Sequence, residues 1–581
     1  MDNVNLTIDG QKVSVPAGTT ILEAARTINI NIPSLCYLRG VNAIGSCRVC
    51  VVDAGARSLT AACVMPVSEG MVVKTNTEKV RTARRTNLEL LLSNHDRECL
   101  SCVRNRSCEL QRLSEELGVR DIPFKGEKVA WPIDTSSVSV ERDPNKCILC
   151  RRCVATCHNV QKVGVIGATN RGFKTIIEPA FSKSLGDVTC INCGQCIIAC
   201  PTGALREKDD TKKVWAAIND PDKVVIAQCA PAVRVGLGEE FDLPMGTRVT
   251  GKLAAAMRRV GFDKTFDTNF AADMTIVEEA TELIDRITNG GVLPMFTSCS
   301  PGWIKYCEHN HPEFLPHLSS CKSPHQMLGA VLKSYYAQKH GIDPAKIVIV
   351  SIMPCTAKKF EAQRPEMANK DGLFDVDVVI TTREFARMIR ESGIDFANLP
   401  DEAFDEFFGD STGAGAIFGA TGGVMEAALR TAADVLTGTD VQAIEYTAVR
   451  GIAGIKEATV KIGDLDVKVA VANSTGAAEK LIQKVQSGEA QYHFCEVMAC
   501  PGGCVTGGGQ PIVDARRKLE IDPRVARAQA IYAEDEALPL RKSHENPSLK
   551  KLYDEYFDGK YGSHKAHEEL HVHGYTPRAK Y

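Results

Sequence analysis

Two tandem runs of cysteine constrain this chain more than any other feature. Cys147, Cys150, Cys153 and Cys157 follow C-x2-C-x2-C-x3-C, and Cys190, Cys193, Cys196 and Cys200 repeat it, with Pro201 after the last. Zinc sites use four ligands in two pairs, whereas this tandem spacing suits two 4Fe-4S clusters. The first three cysteines of each run hold one cluster and the fourth crosses to the other. Cys157 therefore belongs with the second trio and Cys200 with the first.

The chain holds 23 cysteines in 581 residues. It starts MDNVNLTIDG, acidic and polar, unlike a secretory leader, and no apolar run is long enough to span a bilayer. A soluble, cytoplasmic protein is expected, in a reducing compartment where structural disulfides are rare and metal is the leading use of cysteine. Lys and Arg number 69 against 72 Asp and Glu, which argues against nucleic acid as a main partner. The front of the chain is dense in cysteine, and the rear is long enough for a large apolar core.

Residues 1–80 open with two alternating strands turned at Asp9-Gly10, then a helix with Thr20 and Glu23 spaced as a capping box, the start of a β-grasp unit. Cys36, Cys47, Cys50 and Cys63 on it suit a 2Fe-2S cluster, with zinc as the competing use. In residues 81–125, His95, Cys99, Cys102 and Cys108 suit zinc or a 4Fe-4S cluster, and their place between two iron–sulfur units favours the cluster. The two-cluster ferredoxin-like unit spans 139–209. Fifteen cysteines and His95 make sixteen ligands, four for each of four clusters.

From about Val224, short apolar runs such as KVVIAQCAP, KIVIVSIMPC and DVKVAVANS alternate with helical stretches, which implies parallel sheets. Three runs end in cysteine or proline, at Cys229-Ala230-Pro231, Cys299 and Cys355, and ligands in open α/β sheets gather at the carboxyl ends of strands. FTSCSPGW reads as a strand-to-helix turn, either a helix start capped by Ser300 or a loop that holds something. Cys500 and Cys504, bridged by Pro-Gly-Gly and followed by Gly507-Gly508-Gly509, let backbone approach a bulky inorganic group. After about Asp522 the chain reads as a charged, helical, wrapping tail. The expected fold is multidomain α+β and α/β: the β-grasp, His/Cys and ferredoxin-like units, a catalytic domain over 210–522 with parallel or mixed sheets, and C-terminal helices over 523–581.

The three cysteine loops, with AADMTIVEEATE, STGAGAIFGATGGVMEAALRTA and RKSHENP, resemble the iron-only (di-iron) hydrogenases over nearly the whole chain. The likeness is to the long ferredoxin-type enzyme and to the catalytic subunit of NAD(P)-linked multisubunit hydrogenases. It implies reversible reduction of protons to H2 at an H-cluster, a 4Fe-4S cube joined to a two-iron unit with CO, CN and a bridging dithiolate. It implies Cys355, Cys500 and Cys504 as ligands of the cube, Cys504 also bridging to the two-iron unit. Ala230, Pro231, Ser323, Met353, Met498 and Lys358 would line the two-iron pocket. Protons would pass by Cys299, Glu279, Ser319 and Glu282 towards Arg286, although Glu279 and Glu282 alone also read as a solvated helix face. The family's usual loop is TSCCP. Here Ser300 occupies the ligand place, so either Ser300 ligates through oxygen with Cys299 kept as relay, or Cys299 moves into ligation. The resemblance also implies ferredoxin or a flavin- and NAD(P)-binding subunit as partner, in a hetero-oligomer. His325 stands where a Gln is common. Cys307 and Cys321 read as core thiols. HEELH at His567–His571 matches a zinc-protease spacing, and Gly413, Gly415 and Gly419 a loose dinucleotide loop, the latter better read as close helix packing. An iron–sulfur arm of a complex I-like dehydrogenase and a hydrogen sensor are the competing functions.

Overall fold

The computed structural model describes residues 2–442, 444–463 and 465–579. The strands Asn3–Ile8 and Gln11–Pro16 form a hairpin whose turn residues Asp9 and Gly10 both take positive φ. Val72–Val73 adds in parallel on the other edge, and the helix Ile21–Thr27 shares its core with this sheet. Thr20 accepts the Glu23 amide at 3.3 Å. The other half of the capping box is not made, because the Glu23 carboxylate is taken by Arg26, Tyr37 and Arg39.

Helices Glu78–Asn94 and Glu109–Glu116 frame the His/Cys segment. The second is tied to the ferredoxin-like unit by a buried, two-pronged pair from Arg152 to Glu109 at 2.8 and 2.9 Å. Burial opposes charge on Glu109, yet Arg152 outweighs it and holds the carboxyl below its usual range. Glu109→Ala strands a buried guanidinium, which costs about 3–5 kcal/mol. The expected result is loss of visible cluster absorbance at a lower temperature than in the wild type; an unchanged melt refutes this account of the pair.

Beyond Val224 the apolar runs become strands because they are buried on both faces. One sheet has the order Lys264–Asp267, Val224–Cys229, Ile347–Met353, Val378–Thr381, all parallel. The other has the order Met295–Phe296, Phe494–Met498, Leu465–Asn473, Ile455–Ile462, parallel except for the last hairpin. The helix Thr268–Thr288 divides the two cores. It gives Phe270, Met274 and Val277 to the first and Ala272, Ile276 and Leu283 to the second. The tail does more than wrap: Ile531 enters the second core, and Leu549, Leu552, Tyr553, Phe557 and Leu570 enter the first. Among the described residues no helix is long and apolar enough to cross a membrane.

Candidate active site

The carboxyl ends of strands from both sheets converge on one cavity. Cys355, Cys500, Cys504, Cys299 and Ser300 line it. Ala230, Pro231, Met353, Met498 and Lys358 complete the walls expected from the sequence. Glycine makes this convergence possible. Gly503 sits at φ +96° with a would-be Cβ 2.6 Å from the Thr421 amide nitrogen. A Cβ on Gly507 would lie 2.1 Å from the Pro354 carbonyl, so only glycine lets the Cys504 loop rest on the Cys355 loop.

Ser300 precedes the helix Pro301–Asn310 but makes no side-chain cap to it. Its Oγ instead accepts the Ala499 amide at 3.2 Å, beside Cys500. Cys299 has other neighbours: its thiol is pushed well up by burial first, then by Glu279 and Cys504. The two adjacent residues thus have different neighbours, the Ala499 amide for Ser300, and Glu279 and Cys504 for Cys299. Lys358 Nζ lies 3.1 Å from Ser323 Oγ and 3.1 Å from Glu361 Oε2. Ser323 is thus a hydrogen-bond partner of Lys358 and directly precedes Pro324 in the wall. Glu361 also binds His325 Nε2 at 2.6 Å, and His325 Nδ1 lies 3.2 Å from Ser351 Oγ. Burial, then Lys358, push His325 down to about 4, so its imidazole is neutral. Burial works against the Glu361 charge, but Lys358 and His325 overcome it and hold the carboxyl at about 2. Glu361 was missed from sequence; its i,i+3 spacing from Lys358 was the available signal. Thr268, Phe418 and Cys193, also in the wall, carried no such signal.

Glu279 is buried, and its carboxylate oxygens make no hydrogen bond of full geometry, although the Ser319 hydroxyl and the Ser298 amide lie close enough to temper the rise in its pKa. Burial first, then the charge of Glu282, push its pKa up to about 8. Ser319 Oγ donates to Glu282 Oε2 at 2.9 Å, and Arg286 donates to Glu282 Oε1 at 2.6 Å. The solvated-face reading does not hold for Glu279, which is 1% exposed.

In the front of the chain, Cys147, Cys150, Cys153 and Cys200 line one cavity, and Cys157, Cys190, Cys193 and Cys196 line another. Cys193 is thus in the wall of both the second of these and the large cavity. Cys36, Cys47, Cys50 and Cys63 are buried together; hydrogen bonds from Cys47 and Cys63 pull the Cys36 thiol down, and Cys63 does the same to Cys50. His95 is buried, its Nδ1 has no partner, and burial pushes its pKa down to about 4, leaving a neutral imidazole free to bind metal. Burial also raises the thiols of Cys99 and Cys108. Cys108 Sγ reaches the Pro201 carbonyl at 3.7 Å, and a Cβ on Gly203 would lie 2.7 Å from Cys102 Sγ. Asn42 bridges the carbonyls of Cys36 and Cys150 at 2.8 and 3.1 Å. Both front units therefore abut the same ferredoxin-like cavity, a fork rather than the serial order of the sequence.

Cys307 and Cys321 are buried in the apolar cores. A Cβ on Gly415 would lie 2.5 Å from the Asn269 carbonyl, so that glycine serves close helix packing. Of HEELH, Glu568 is exposed while His571 is buried, so the motif does not form a protease centre.

Three thiols converging on an apolar-walled cavity with a buried ammonium fit an iron–sulfur cube joined to an anionic metal unit. Residues 223–508 match the family described as iron only hydrogenase large subunit, C-terminal domain. Residues 1–78 match a 2Fe-2S iron-sulfur cluster binding domain, 84–123 the NADH-ubiquinone oxidoreductase-G iron-sulfur binding region, 146–204 a 4Fe-4S dicluster domain and 520–578 the iron hydrogenase small subunit. The chain belongs to the iron-only hydrogenase family. It is a hydrogenase, an oxidoreductase acting on H2, with 2Fe-2S and 4Fe-4S domains and the H-cluster site of that family. NADP-reducing hydrogenase subunit HndD of Solidesulfovibrio fructosivorans is 49% identical over 99% of both chains. Iron hydrogenase 1 of Clostridium pasteurianum is 46% identical over 97% of this chain and 98% of its own. A variant of apo FeFe-hydrogenase HydA1 from Chlamydomonas reinhardtii superposes with a TM-score of 0.57 at 43% identity, over 64% of this chain and all of the other.

Proposed function

We propose that this chain is the catalytic subunit of an NAD(P)-linked or bifurcating hydrogenase complex, running 2H⁺ + 2e⁻ ⇌ H2. The supporting relative is the one named as a subunit of an NADP-reducing hydrogenase, matched from end to end. The proposed cofactors are one 2Fe-2S cluster, three 4Fe-4S clusters and one H-cluster. Cys36, Cys47, Cys50 and Cys63 would hold the first. His95, Cys99, Cys102 and Cys108, and the two ferredoxin-like quartets, would hold the next three. The proposed units are 1–80, 81–125, 139–209, 210–522 and 523–581. The observation that carries the reading is a single cavity walled by Cys355, Cys500, Cys504, Cys299, Ser300 and Lys358, with Cys193 of the neighbouring quartet in the same wall.

When bound, the H-cluster supplies the metal site at which the H–H bond is made or broken. Cys355, Cys500 and Cys504 would hold it, and Lys358 would offer its ammonium to an anionic ligand in a dry pocket. Cys299 Sγ exchanges a proton with the Glu279 carboxyl, and Ser319 Oγ and Glu282 carry it towards Arg286. Infrared bands of CO and CN in protein co-expressed with maturases test this reading; their absence after competent maturation refutes it. Co-purification of a flavoprotein tests the complex, whereas direct turnover with ferredoxin alone favours a stand-alone enzyme.

Ser300 is the fourth donor to the cube in this reading, because its Oγ faces the Cys500 loop while Cys299 faces Glu279. In protein carrying the cube but no two-iron unit, Ser300→Ala is expected to lose one iron and show a 3Fe-4S electron paramagnetic resonance signal. Ser300→Cys and Cys299→Ala keep four irons. Iron loss in Cys299→Ala instead would assign the ligand to Cys299.

A further inference from the structure

We infer that Glu282, Cys321 and His571 form a site for a zinc-class divalent cation, and that a cation there shuts the outer half of the proton route. Glu282 comes from the dividing helix, Cys321 from the loop after Ser319, and His571 from the carboxyl-terminal tail. One ligand atom of each lies within 4.8 Å of the others. Cys321 Sγ stands 3.9 Å from Glu282 Oε2 and 3.9 Å from His571 Nδ1. Zinc bonds of about 2.3 Å to sulfur and about 2.0–2.2 Å to nitrogen and oxygen place tetrahedral ligand atoms roughly 3.4–3.6 Å apart. The two contacts of Cys321 therefore need to draw in only by a few tenths of an ångström, and Glu282 and His571, within 4.8 Å of each other, close on the same point. A thiolate, an imidazole and a carboxylate together favour zinc over the hard cations magnesium and calcium.

The surroundings are those of a metal-binding histidine. His571 Nε2 lies 3.0 Å from Glu278 Oε2. Glu278 is itself buried and also accepts from Tyr553 and the Gly562 amide. A carboxylate behind the imidazole fixes the tautomer, puts the proton on Nε2 and turns the Nδ1 lone pair towards Cys321 and Glu282. Ser320 Oγ, 2.8 Å from His571 Nδ1 and 3.1 Å from Glu282 Oε2, is placed to act as fourth ligand or to yield to water. The route in is marked by imidazoles: His567 is exposed with its ring 4.1 Å from that of His571, and His573 is exposed two residues on. The H-E-x-x-H spacing thus delivers one histidine inward to Glu278 and leaves the other at the rim. Binding converts the Cys321 thiol to thiolate and releases its proton to solvent. Glu282 bound to a cation no longer accepts from Ser319. The blocking effect rests on the proposed proton route; the binding site does not.

The test uses the holoenzyme, stripped of loose metal with a chelator and then given zinc chloride. The expected result is one retained zinc whose X-ray absorption shows a single sulfur neighbour at about 2.3 Å beside nitrogen and oxygen. Cys321→Ser and, separately, His571→Gln should weaken retention on the order of 100-fold, with Cys321→Ser also removing the sulfur neighbour. Intact visible absorbance of the iron–sulfur clusters shows that each variant is folded. Zinc should inhibit H2 uptake by the wild type, and Cys321→Ser should escape by the same factor by which its retention falls. Zinc bound without sulfur, or with sulfur retained in Cys321→Ser, overturns the site. Zinc bound through Cys321 with turnover unchanged overturns the block, and with it the exit through Glu282, while the site stands.

Discussion

Glu279→Gln lowers H2 production and H2 uptake together, by on the order of 10²- to 10⁴-fold, the range for loss of a positioned proton-transfer group. Glutamine fills the same volume, so the buried helix face is kept, but its amide cannot relay a proton along the proposed route from Cys299 to Ser319. The wild-type carboxyl titrates at about 8 because burial, and then Glu282, disfavour its charge. It is therefore protonated at neutral pH, and H2 production should fall as pH rises past about 8. The variant's residual activity should lack that limb. The substitution itself moves stability the other way from activity. A carboxyl whose folded value is raised from 4.5 to about 8 weakens the fold progressively as pH rises between those values, and fully above them. Glu279→Gln should thus become more stable relative to the wild type across that window, by thermal melts at each pH. A variant that is less active only because it is less stable throughout would refute the proton-carrying role.

The cysteine quartets were legible because spacing within a short loop decides which thiols can meet, whatever the rest of the chain does. Cys147, Cys150 and Cys153 reach one cavity because they lie within one short stretch that runs into the helix Arg152–Ala155, and Cys200 joins them because the motif is paired. The strands Val224–Cys229 and Ile347–Met353 were legible for a related reason, since burial on both faces leaves an unbroken apolar run. Lys264–Asp267 was not, because it is a four-residue edge strand with charge at both ends. The partners of Lys358 were hidden because the network joins a helix start at Ser323, a strand residue at Ser351 and a helix at Glu361. His571 was hidden by its tail: nothing local reveals that a charged carboxyl-terminal helix ends with an imidazole against Glu278. The fork of the front units also depends on single long-range contacts, such as Asn42 reaching Cys150. Local spacing speaks for local geometry, while the joins between units depend on which surfaces pack.

Cys193→Ala separates the electron supply from the proton supply. Cys193 lines the second ferredoxin-like cavity and the large cavity alike, and its thiol is among the charges felt by Cys500. Removing it takes away a thiol of the shared wall, the proposed cluster ligand at the junction for electrons, while Cys299, Glu279, Ser319 and Glu282 stay in place. Net H2 uptake with an external electron acceptor should drop by at least about 100-fold, since a lost ligand costs no less than a lost outer-shell partner. Exchange of D2 with water protons needs no net electrons, and should continue at a substantial fraction of the wild-type rate. Glu279→Gln gives the opposite pattern, losing exchange and uptake together. If Cys193→Ala abolished exchange as well, the cavity beyond it would depend on that thiol for its own assembly rather than for its wiring. If it left net uptake intact, electrons would reach the large cavity by another path, and the shared wall would be packing alone.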